Sequence, residues 1–155
     1  MSKKKKIVAL VQARMGSERL PKKMTKILDN RTIIEWVLLR VSKSNLIDEI
    51  VLVTSNLSRD NILEEIAKGL KINTFRGSEN DVMDRFTKAA LNYNADIIIR
   101  VCADNPFIDS CEIDRLINFY LTNNYDYCFN NHNKFGCNYA DGFGAEILSK
   151  SLLIF

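Results

Sequence analysis

Short apolar runs alternate along the chain with stretches in which apolar residues recur every three or four positions. The run IVALVQA (residues 7–13) is nearly continuous and rich in β-branched residues, the pattern of a strand buried on both faces. EIVLVT (49–54) and DIIIRVC (96–102) read the same way, and residues 72–75 and 125–129 are weaker strand candidates. Helices are expected between them. Thr32 and Glu35 form a capping-box pattern, followed by Ile34, Val37, Leu38 and Val41 on one face. Ser58 reads as the cap of a helix with the stripe Ile62, Leu63, Ile66, Ala67 and Leu70, and Gly69 stands near its end. Ser78 and Asp81 open a third helix carrying Val82, Phe86, Ala89, Ala90 and Tyr93. Asp109 and Glu112 open a fourth, with Ile113, Leu116, Ile117, Tyr120 and Leu121 at helical spacing.

Regular strand–helix alternation predicts an α/β fold, a doubly wound and mainly parallel sheet with helices on both faces. Such sheets bind ligands beyond the carboxyl ends of their strands, so the loops after Ala13, Thr54 and Cys102 are where chemistry is expected. A length of 155 residues with 46% hydrophobic side chains fits one domain. The net charge of +3 owes much to the run Lys3 to Lys6, a solvated tail rather than the broad basic footprint of a nucleic-acid binder. Gln12 and Arg14 break the apolar segment that follows, and no stretch approaches the ~20 apolar residues of a membrane span. A cytoplasmic protein without a nucleic-acid or membrane partner is therefore expected. The four cysteines form no C-x-x-C pair, and the spacing of Cys128, His132 and Cys137 reads as incidental.

The first loop packs Arg14, Arg19, Lys22 and Lys23 around Gly16 and Ser17, with Pro21 stiffening its exit. Backbone N–H groups, a hydroxyl and several cations in one turn suit a polyphosphate. Neither G-x-x-x-x-G-K-[ST] nor G-x-G-x-x-G is present, so the P-loop and dinucleotide readings lack their fingerprints. The third strand runs into CADNPFID (102–109), where Asp104 is suited to anchor Mg²⁺, an ion that takes one or two carboxylates and otherwise waters and phosphate oxygens. Asp109 reads as a helix cap.

ARMGSERLPKK (13–23) resembles the A-R-x-G-S-x-R-L-P-G-K signature of cytidylyltransferases that activate acidic sugars such as KDO and sialic acid. The spore-coat polysaccharide biosynthesis branch, with Q-A-R-M-G-S-x-R-L-P-G-K, is the most similar. Lys22 stands where that pattern has glycine. RVCADNPFID (100–109) is similar to the family's R-x-x-x-D-x-P-L-I-D, and FRGSENDVMDR (75–85) to F-R-G-S-x-x-D-V-L-D-R. YADGFGAE (139–146) is similar to Y-P-D-G-x-D-V-E, with Ala140 and Gly144 replacing the family's proline and aspartate.

The resemblance implies the Rossmann-like sheet of nucleotide-diphospho-sugar transferases. It also implies transfer of CMP from CTP to a sugar, an acidic one above all, with release of pyrophosphate for surface polysaccharide synthesis. Nucleotide contacts fall to Ala13, Arg14, Gly16, Ser17, Arg19, Lys23, Ser78 and Arg85, with Arg76 and Asp81 beside them. Arg14, Lys23 and Asp104 take the catalytic roles, Asp104 holding Mg²⁺, and Asp141 and Glu146 lie toward the acceptor. A homodimer is the family's usual assembly. Residues 1–155 are expected to be a single nucleotidyltransferase domain cut short at its C-terminal end, in the helix expected after Glu146. Two rivals are a glycosyltransferase using a nucleotide sugar, whose usual D-x-D pair is absent here, and a nucleotide-binding module without turnover.

Overall fold

A computed structural model describes residues 4–130 and 142–154. Eight strands and five α-helices alternate along them. They run β1 (Ile7–Gln12), β2 (Ile27–Leu28), β3 (Arg31–Thr32), α1 (Ile33–Val41), β4 (Glu49–Ser55), α2 (Asn61–Gly69), β5 (Asn73–Gly77) and α3 (Val82–Asn92). Then follow β6 (Ile97–Cys102), α4 (Ser110–Thr122), β7 (Tyr127–Phe129), β8 (Glu146–Ser149) and α5 (Lys150–Ile154). The main sheet has six strands in the order β5-β4-β1-β6-β8-β7. Its β5, β4, β1 and β6 are parallel neighbours, while β8 pairs antiparallel with both β6 and β7.

The apolar runs become the sheet's centre because both of its faces are covered. Ile7, Ala9 and Val11 of β1 face one layer, built on α1, α2 and α4 through Leu38, Leu63, Ile113 and Ile117. Val8 and Leu10 face the other, where Phe86, Ala89 and Ala90 of α3 and Leu153 of α5 pack. Every residue of β1 except Gln12 is buried, which explains why its sequence does not alternate. Thr32 caps α1 in a full capping box with Glu35, as its spacing predicts. Asp81 and Asp109 cap α3 and α4 through their carboxylates.

Three local expectations change. Ser58 does not cap α2; it opens a 3₁₀ turn, Ser58–Asp60, and Asp60 stands at the cap position with its carboxylate turned elsewhere. The segment after Glu146 is first a strand, β8, inserted between β6 and β7, and the helix begins only at Lys150. A two-residue hairpin, β2 with β3, precedes α1. Among the described residues, no helix is long and apolar enough to cross a membrane.

Candidate active site

The chain reverses its winding direction at β1. From β1 it moves to β4 and β5 on one side, then crosses back to β6 on the other. Loops leaving β1 and β6 therefore diverge and open a crevice, the place where doubly wound sheets bind ligands. A cavity of about 800 Å³ lies there. Its floor includes Gln12, Arg100 and Cys102, and its walls come from the loops after β1, β4, β5 and β6.

Ala13, Arg14, Gly16, Ser17, Arg19, Lys23 and Asp104, each singled out in the sequence, all line this one cavity. Arg14 and Arg19 are exposed at its rim. Lys23 Nζ lies 3.1 Å from Asp104 Oδ2, so the end of the first loop and the loop after β6 meet as cation and carboxylate. Lys22, at the glycine position of the resembling pattern, has φ 55° and ψ 30°, a left-handed conformation that glycine adopts without strain.

Ser78 and Arg85 do not line the cavity; they build its wall from behind. Ser78 Oγ accepts the Asp81 N–H at 3.1 Å. Arg85 is 1% exposed, packs under Gly77, and donates to the carbonyl oxygens of Ser78 and Glu79. Burial, reinforced by the charge of Arg14, holds the Arg85 pKa below its ordinary value. Arg76 turns toward α2, donating to Ser55 O at 3.0 Å, Leu57 O at 2.9 Å and Glu64 at 2.8 Å. Asp81 is occupied as a cap.

Glu146 bonds Arg100 at 2.5 Å across the β6–β8 pairing; Arg100 lines the cavity and Glu146 does not. Burial is the largest influence on Arg100 and opposes its charge, but the Glu146 bond and the acidic groups around it together raise the pKa. Cys102 beside it is pushed up by burial, so its thiol stays neutral and offers no nucleophile. A Cβ at Gly144 would run into the Asn130 backbone, which leaves no room for the family's aspartate at that position. Asp141, like His132 and Cys137, lies outside the described residues.

Three residues important to the cavity escaped the sequence reading, and a fourth, Arg100, stands in it only as the first position of a motif. Asp60 is fully buried and accepts the Met15 N–H at 2.8 Å and the Ser55 hydroxyl, tying the first loop to the end of β4. Arg59 and Glu79 form an ion pair across Gly16. Arg100 had a readable signal, a charged residue inside an otherwise apolar strand. Asp60, Arg59 and Glu79 had none, since loops brought together by folding carry no local pattern.

The donor set fits a hard divalent cation of the Mg²⁺ type. Asp104 offers a half-exposed carboxylate at the cavity edge. No cluster of three or more metal-binding side chains exists among the described residues.

The sequence pattern of the cytidylyltransferase family matches residues 8–139. The chain belongs to this family. It is 42% identical over 122 residues to an uncharacterised protein of Methanocaldococcus jannaschii, an alignment covering 79% of the chain and 50% of that protein. It is 34% identical over 154 residues to the spore coat polysaccharide biosynthesis protein SpsF of Bacillus subtilis, covering 96% of the chain and 61% of SpsF. A solved cytidylyltransferase from Leptospira borgpetersenii superposes with a TM-score of 0.90 at 37% identity, covering 97% of the chain and 63% of that structure. The alignments thus span half to about three fifths of the length of these two curated relatives. As a cytidylyltransferase-family member it carries the nucleotidyltransferase sheet, and the cavity lies at the switch point where doubly wound sheets in general bind ligands.

Proposed function

We propose that this chain binds CTP in the crevice beyond β1 and β6 and transfers its CMP group to a sugar, releasing pyrophosphate. The observation that carries this reading is the convergence of Arg14, Arg19, Lys23 and Asp104 on one cavity from two separate loops. Cations supplied by the loop after β1 suit the phosphates, and a carboxylate on the loop after β6 faces them. An acidic sugar bound for surface polysaccharide is the preferred acceptor; the polysaccharide destination accords with the spore coat polysaccharide role of the Bacillus subtilis relative.

In this reading a sugar hydroxyl oxygen attacks the α-phosphorus and gives up its proton to water, and the bond from that phosphorus to the bridging oxygen of pyrophosphate breaks. Arg14 and Arg19 draw the β- and γ-phosphates to the rim, and Lys23 neutralises charge that grows on the leaving group. Gly16 lets the loop backbone approach the phosphates without a side chain between. Asp104 is the residue that would hold Mg²⁺, and the ion when bound supplies positive charge to the phosphate oxygens. No protein nucleophile is required, in keeping with the neutral Cys102 thiol. Catalysis is by positioning and electrostatics.

Pyrophosphate release from CTP with Mg²⁺ and a panel of 2-keto-3-deoxy sugar acids tests the proposal. Asp104→Asn is expected to lower kcat by about 10²–10³-fold, the scale of losing one electrostatic stabiliser. An unchanged rate in that variant would sink the role of Asp104. Calorimetric preference for CTP over UTP, GTP and ATP is expected in the same protein.

A further inference from the structure

Two charged side chains lie directly over the phosphate loop and belong to neither of its sequence motifs as cations or metal ligands. Arg59 comes from the 3₁₀ turn after β4, and Glu79 from the loop between β5 and α3. They form an ion pair, and both line the main cavity. The pair rests on Gly16. A Cβ there would stand 2.9 Å from an Nη of Arg59 and 3.2 Å from Oε1 of Glu79. The guanidinium therefore lies within reach of any anion held by the loop backbone.

The ends of this bridge are anchored by buried charges, and its side chains are not. Next to Arg59, Asp60 is fully buried and holds Met15 N at 2.8 Å and Ser55 N at 3.3 Å. Behind Glu79, Arg85 donates to the carbonyl oxygens of Ser78 and Glu79, the second at 3.4 Å. The Arg59 side chain is 50% exposed and that of Glu79 21%, and a pair with one partner half in water is weakened by solvent. A polyphosphate at Gly16 would attract Arg59 and repel Glu79 at the same moment. Opposite signs on a weakened pair make partner exchange the favoured response.

We propose that Glu79 stands in for a nucleotide phosphate on Arg59, and that the incoming triphosphate takes Arg59 over and releases Glu79. Arg59 is then a phosphate ligand of the bound state, and Glu79 a competing anion that sets its affinity. The proposal rests on reading the cavity as a triphosphate site.

Calorimetry with Mg²⁺ and three probes, CTP, inorganic tripolyphosphate and cytidine, tests it on the full chain. Arg59→Gln is expected to weaken CTP and tripolyphosphate by about tenfold or more, the scale of one charge-assisted bond, and to leave cytidine unchanged. Glu79→Gln is expected to tighten both phosphate probes about threefold, as removal of a competing anion should, and the gain should vanish when Arg59→Gln is added. Arg59→Gln binding that matches the parent would overturn the proposal, and so would weakening by Glu79→Gln as large as that of Arg59→Gln, the mark of a purely structural bridge. Should Arg59→Gln melt early, Arg59→Lys takes its place, with a smaller weakening expected because charge is kept and the fork is lost. If the parent binds CTP normally while Arg59 variants do too, this inference alone fails. If the parent binds neither phosphate probe, the triphosphate reading fails and takes the inference with it.

Discussion

Lys22 holds φ 55° and ψ 30°, a conformation in which a Cβ crowds the following carbonyl. Glycine occupies that position in the pattern the first loop resembles, and the physical reason is now visible: the turn that delivers Lys23 to Asp104 passes through the left-handed region. A lysine there costs about 1–2 kcal/mol, part of which a glycine would return by its freedom in the unfolded chain. Lys22→Gly is therefore expected to raise stability by about 0.5 kcal/mol, and Lys22→Val, with a branched Cβ in the same conformation, to lower it by about 1–2 kcal/mol. Urea denaturation of both variants checks the pair. A destabilising glycine would mean that the Lys22 side chain contributes more than its backbone costs. At this scale the site was legible where chemistry is written locally. Arg14, Gly16, Ser17, Lys23 and Asp104 could be read because a basic turn and an acidic turn each sit within about ten residues after a buried strand. Arg85 carried the right motif and still lies behind the wall, because a motif records which residues recur and not which way each one faces.

Elements are joined at their ends by carboxylates, and this makes the fold sensitive to acid. Asp48, just before β4, accepts the Ile7 N–H at 2.9 Å and the Lys4 ammonium at 2.7 Å, which ties the start of β1 to the start of β4. Those two bonds, the Ile7 bond foremost, hold its pKa below the ordinary 3.8. Glu35 is held below its ordinary 4.5 by the Thr32 hydroxyl and then the Thr32 N–H, both parts of the cap of α1. A carboxyl depressed in the folded state binds protons more readily when unfolded. Its stabilisation is complete above the ordinary value and is lost as pH falls through the folded one. The melting temperature is accordingly expected to hold from neutrality to about pH 5 and to fall below it, with a shallower fall in Asp48→Asn and Glu35→Gln. An acid slope equal to the parent's in both variants would remove these two groups from the explanation. Element reading from sequence succeeded for β1, β4, β6 and the stripe of α1, where burial on two faces or a cap leaves a strong pattern. It failed for β8, whose four residues EILS offer too short a run to outweigh the helical expectation. What makes them a strand is the open edge of β6, where Arg100 meets Glu146, and that edge exists only once the sheet has formed.

The cavity is a property of the whole molecule, since no single segment could make it. Loops after β1, β4, β5 and β6 converge there because the chain reverses direction at β1. Bringing them together also gathers positive charge: the charge of Arg14 acts on the buried Arg85, and Arg59 and Lys23 stand on the same walls. Asp60, Glu79 and Asp104 offset part of this repulsion from within the protein. A bound triphosphate would offset more of it and would add a further link between loops already joined by the buried Asp60 and by partly exposed ion pairs. If the cavity binds the proposed triphosphate, ligand and fold are coupled, and the coupling has a predictable size. At a concentration 100 times its Kd, CTP stabilises a protein that binds it only when folded by about 2.7 kcal/mol. For a domain of this length each kcal/mol shifts the midpoint by about 2–4 °C, so a rise in Tm of about 5–10 °C is expected. The origin of the shift can be separated as well as its size. If charge is the source, tripolyphosphate at 100 times its own Kd should give a comparable rise that shrinks as salt is raised to about 0.5 M at fixed ligand, because screening weakens binding to exposed cations. Cytidine at the same molar concentration should give little. A large shift from cytidine with none from tripolyphosphate would move the binding energy from the loop after β1 to a base pocket, and the charge-centred account of the cavity would have to be abandoned.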